Sequence, residues 1–93
     1  MDSSINDRLT QIENIFNTFF KANPTREVLI ERAYEFYSKS KFTREKLENI
    51  EKELLQYRDI NKDNNNRNRI NQLLYQLNEI FDELVRQKRI EKK

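Results

Sequence analysis

The chain has 93 residues, 35% hydrophobic and 37% charged, with 18 basic and 16 acidic side chains for a net charge of +2. That length holds one domain at most, with apolar material for a small core and little margin. Gly, His and Cys are all absent. Their absence excludes phosphate-cradling glycine loops, imidazole acid–base chemistry, thiolate nucleophiles, disulfides and nearly every structural zinc site.

The first residues, Met1 to Leu9, show no basic flank followed by an apolar stretch, so no secretory signal is expected. No apolar run is long enough for a membrane span. The reading is an intracellular, soluble protein without disulfides. Charge is uneven along it: residues 61–93 carry eight Lys/Arg against five Asp/Glu, while residues 1–60 carry ten against eleven. This modest local excess permits an acidic partner without demanding one.

Four helices are predicted from apolar spacing and start signals. The first covers about residues 4–21 and opens at Ser3 or Ser4, with Asp7 completing a capping-box spacing. Ile5, Leu9, Ile12, Phe16 and Phe19, with Ile15 and Phe20, occupy an arc of roughly 140°, a buried stripe. Asn23-Pro24 ends this helix and starts the second, about 24–38, because proline suits a first helical turn. The second presents Leu29, Ile30, Ala33, Tyr34, Phe36 and Tyr37 on one face. The third, about 43–59, starts at the N-cap Thr43, with Phe42 and Leu47 at hydrophobic-staple spacing. Leu47, Ile50, Leu54 and Tyr57 form its stripe.

The Asn-rich stretch 59–68 reads as an exposed connection. The fourth helix, about 67–88, carries a broad face from Ile70 to Val85. Lys88 falls where that stripe would continue, so packing is expected to end near Val85, with a solvated extension and a basic tail at 89–93. The whole reads as one all-α domain over 1–88. The architecture is a small antiparallel four-helix bundle running up-down-up-down, or a long helical hairpin completed by a partner chain.

Candidate chemistry is thin. Glu27, Glu31 and Glu35 share a helix face, but carboxylate metal clusters of bundles also require Glu-x-x-His motifs, and the row points away from the apolar face. Glu45, Glu48, Glu51 and Glu53 could supply a glycosidase-type carboxylate pair only in a desolvated concave site. Glu48 instead faces Lys52 at ordinary ion-pair spacing. The 38–42 turn between two helices suggests a helix-turn-helix, yet its second helix carries those four Glu beside Arg44 and Lys46 and would repel phosphates.

Two binding surfaces are left. Seven of the ten aromatics lie between Phe16 and Phe42, and Phe20, Phe36 and Tyr37 add bulk beyond what one hairpin needs, marking a protein-binding patch if exposed. Arg86, Arg89 and Lys93 share the face opposite the last stripe and could grip an acidic surface. Cations at a helix C-terminus are, however, favoured simply by the macrodipole and keep a lean bundle in solution, and that reading outweighs the functional one. The expected function is therefore a non-enzymatic helical interaction protein: a subunit, adaptor or inhibitor binding another protein, or a second copy of itself, through an apolar and aromatic face. The alternative is a small nucleic-acid-associated regulator acting through the basic C-terminus. No catalytic residue, metal or cofactor is expected in either.

Overall fold

A computed structural model describes residues 2–91, with side chains from residue 5, and contains four helices: α1 (Asp2–Phe20), α2 (Arg26–Ser38), α3 (Arg44–Ile60) and α4 (Asn64–Arg86). The molecule is an all-α four-helix bundle, with no strand among the described residues. No helix among them is long and apolar enough to cross a membrane.

The helix starts follow side-chain capping, with three corrections to the sequence reading. Thr25, Thr43 and Asp63 are the N-caps of α2, α3 and α4, each accepting a backbone N–H of the first turn. Pro24 therefore precedes the cap of α2 and does not occupy its first turn. α1 is already helical at Asp2, upstream of the expected start, and the Ser4 capping side chain lies outside the described residues. The connection before α4 shrinks from 59–68 to 61–63. Asp63 caps early, and Asn66, one turn before Ile70, is buried, so docking of the helix overrides the weak helix preference of Asn.

With its 23 residues, α4 is about 35 Å long and runs nearly the full 38 Å of the molecule. α1 lies beside it in the same direction. Near the start of α4, Arg69 reaches Asn6, Thr10 and Glu13. Near its end, Phe19 and Phe20 share a cleft with Glu79, Glu83 and Arg86. α3 runs opposite to both, through the pairs Arg8–Glu53 and Arg58–Asn71.

The helix that departs from strict alternation is α2. Its start approaches Glu83 through Arg26, and the Arg32 guanidinium donates to the carbonyls of Phe19 and Lys21 at the end of α1. It thus crosses one end of the bundle. At 13 residues it spans about 20 Å and is the shortest of the four helices. The ring of Phe19 holds it there, 5.9 Å from Phe36 and 5.5 Å from Phe42.

The core draws fully buried side chains from every long helix, among them Leu9, Phe16, Leu54, Leu77 and Ile80, with Phe42 and Leu47 of the staple enclosed as well. Each such side chain contributes about 1.5–3 kcal/mol by leaving water. Stripe edges behave differently from stripe centres. On α1, Ile15 and Phe20 are the two margins of the arc; Ile15 is exposed and Phe20 half-buried. On α2 only Leu29, Ala33, Phe36 and Tyr37 pack inward, whereas Ile30 and Tyr34 are exposed.

The end of α4 is the largest correction. The helix stops at Arg86, and Lys88 takes a left-handed conformation with φ of 58°. Lys88 N–H then donates to Val85 and Arg89 N–H to Leu84, a Schellman closure that turns the chain back. Ile90 packs against the core, so residues 87–90 are a return turn where a solvated extension is expected from sequence. The stripe pattern misses this because a backbone reversal resets its phase.

Candidate functional site

The margins of the α1 and α3 stripes face one another across an open groove. On α3, Leu47 and Leu54 are fully buried, while Ile50 and Tyr57, displaced to one side of them around the helix, are half-buried. Ile15 and Ile50 form the groove's apolar walls, and the edge of Phe36 closes one end. Its volume is about 640 Å³, in the range of sites that enclose small ligands or a few side chains. It exists because α1 and α3 both pack on α4 more closely than on each other.

The two ends of the groove differ in charge. At one end Arg8 of α1 donates through Nε and a terminal nitrogen to both carboxylate oxygens of Glu53 on α3, at 2.7 and 3.0 Å. Tyr57 donates its hydroxyl to the same carboxylate. These bonds, that from Arg8 foremost, hold the Glu53 carboxyl below the usual carboxylate range against the opposing effect of burial. In return the Arg8 guanidinium and the Tyr57 phenol are both raised, each chiefly by its bond to Glu53. That end is electrically closed.

The other end carries Lys41 and Lys46. Lys41 places its ammonium 5.2 Å from the Phe36 ring centroid. Lys46 donates to the carbonyl of Ser40, which uses one of its three N–H donors. Both lysines are exposed, and the groove lining supplies no carboxylate at this end.

The residues singled out from sequence are dispersed. Phe36 is only 8% exposed and belongs to the core; its ring is tilted against Phe42 at 4.8 Å. Phe20 and Tyr37 are half-buried and pack on the core, so the three do not form an exposed patch. The surplus bulk is consumed by the crossing of α2, which no single-helix pattern reveals. Arg86 pairs with Glu83 at 3.4 Å. Arg89 lies beyond the helix and stacks on Tyr34, 4.4 Å from its ring centroid. Lys93 lies outside the described residues. The shared basic face expected at the C-terminus is therefore broken up between Arg86 and Arg89 by the return turn.

Among the acidic candidates, Glu27, Glu31 and Glu35 are all exposed, and Lys39 lowers the Glu35 carboxyl by a hydrogen bond. Glu48 pairs with Arg44 at 3.6 Å instead of the Lys52 expected from spacing. Among the described residues no group of three or more acidic side chains is placed to hold a metal ion. Glu83, overlooked in the sequence, is the buried carboxylate: it is 6% exposed and is held by Arg86, Arg26 and the Gln87 amide. Its position off the α4 stripe hides it from pattern reading, since the start of α2 is what covers it. Ile15 could have been found from sequence as the outermost residue of its arc. Comparison of the chain with protein-family models, curated proteins and solved structures finds no match to any of them.

Proposed function

We propose that this protein is a non-enzymatic interaction module that binds a segment of another protein in the groove between α1 and α3. The observation that carries the reading is the groove itself: aliphatic walls at Ile15 and Ile50, left open between two helices whose Leu9, Ile12, Phe16, Leu47 and Leu54 are fully enclosed. Apolar surface in a concave, polar-rimmed setting is what protein partners cover. The Arg8–Glu53–Tyr57 cluster braces one end and fixes the spacing of the walls.

The test is a comparison of tagged chains recovered from the native host. Ile15→Asp changes a groove wall, while Leu55→Asp changes a residue of nearly equal exposure, 37% against 38%, outside the groove. Loss of a discrete co-purifying protein with Ile15→Asp and its retention with Leu55→Asp is the expected result. Equal recovery with both variants, each folded by circular dichroism, overturns the groove as the docking surface.

A further inference from the structure

The groove has a length, a shape and a charge, and together they specify its occupant. We infer that it receives an amphipathic helix of about three turns whose acidic side chains meet Lys41 and Lys46. This rests on the docking reading above and adds the chemistry of the partner.

Length comes from α1, where the lining runs from Arg8 to Thr18, about 15 Å or three helical turns. Shape comes from the course of the chain. α1, α3 and α4 run the length of the bundle, but α2 crosses its end, so the position of a fourth long helix is unfilled. An apolar helix face laid into a groove between two helices reads through anchors at i, i+3 or i+4 and i+7. Ile15 and Ile50 face each other across that line.

Charge comes from the unequal ends. Glu53 is engaged by Arg8 and Tyr57, which leaves that end without net demand. Lys41 and Lys46 form a cationic end, and the first turn of α3, which includes Lys46, adds the positive pole of its macrodipole. Nucleic acid fits this lining less well. Its walls are aliphatic, its one aromatic ring is 8% exposed, and its cations are confined to one end beyond the closed Arg8–Glu53 pair, whereas single strands are held on stacked aromatic faces along a continuous basic track.

The probes are synthetic helical peptides of about twelve residues with a leucine seam and glutamates at one end, their glutamine and lysine counterparts, and a single-stranded RNA oligomer of similar length. Fluorescence anisotropy measures binding to the full chain and to three variants: Ile15→Asp, Leu55→Asp, and Lys41→Glu combined with Lys46→Glu. The acidic peptide is expected to bind roughly tenfold more tightly than the glutamine form, the effect of two solvent-exposed ion pairs. The double lysine reversal should transfer that preference to the lysine peptide, and Ile15→Asp should abolish binding while Leu55→Asp preserves it. Equal affinity for the acidic and glutamine peptides overturns the charge assignment and leaves the groove reading standing. Binding of the acidic peptide that ignores Ile15→Asp overturns the location. No peptide binding, or RNA binding that is lost in Ile15→Asp, overturns the acidic-helix occupant, and the recovery experiment above then judges the groove independently.

Discussion

Glu53, one of the four α3 glutamates named from sequence, is held from two sides. It accepts both arms of the Arg8 guanidinium across the groove and the Tyr57 hydroxyl along its own helix. Arg8 and Glu53 retain 35% and 25% side-chain exposure, so solvent screens the pair, and a coupling of about 1 kcal/mol is appropriate. The carboxyl pKa is depressed by folding. Its contribution is therefore complete above the ordinary carboxylate pKa and is lost as pH falls through the depressed folded value. The Tyr57 phenol is raised, so its share is complete below the ordinary phenol pKa and is lost as pH rises through the folded one. A double-mutant cycle of Arg8→Met and Glu53→Gln, read by urea melts, should show the coupling at neutral pH and none in strong acid. A coupling that survives full protonation of Glu53 would assign the bond to packing instead of charge.

Among elements, the turns carry the strain. With no Gly in the chain, the left-handed positions fall to Ala22, Asn23, Ser40 and Lys88, at roughly 1–2 kcal/mol each for a side chain with a Cβ, less for Asn. Ser40 and Lys88 both close Schellman motifs, at the ends of α2 and α4. Lys88→Gly should therefore stabilise the protein by about 0.5–1 kcal/mol, since its side chain is exposed and only the backbone benefits. Removing residues 90–93 should cost about 1–2 kcal/mol through loss of the Ile90 contact with the core. Denaturant melts of the two variants check both signs. A truncated chain as stable as the full one would mean that the return turn docks without energetic consequence, which is what the apolar pattern alone predicts.

At the scale of the whole molecule, one chain encloses its own core. The aromatic residues that look surplus in the sequence stack at one end of the bundle, where Phe19, Phe20, Phe36 and Phe42 make edge and tilted contacts. α4 contacts each of the other three helices, and Ile70, Leu73, Leu77, Ile80 and Leu84 of its stripe are enclosed, so the fold does not depend on a second chain to cover its main stripe. A protein assembled this way should melt at the same temperature over a roughly hundredfold dilution, with a monomeric mass by light scattering. A melting temperature that climbs with concentration would show instead that the chain associates with a second copy of itself.

What the sequence determined by itself is the set of elements. Apolar spacing located four helices, Thr43 and Leu47 defined the start of α3, and the absence of Gly, His and Cys excluded whole classes of chemistry. These features are local: capping and periodicity act within a few residues and need no neighbour. Tertiary structure decided the rest. It determined that α2 crosses the bundle end, that Phe36 is core and Ile15 is wall, that Glu83 is buried, and that the chain turns back after Lys88. The margin of an apolar stripe is equally compatible with burial and exposure until a neighbouring helix arrives or fails to arrive. In this protein α4 covers the stripe centres of both α1 and α3, no long helix covers the margins between them, and the open groove is the result.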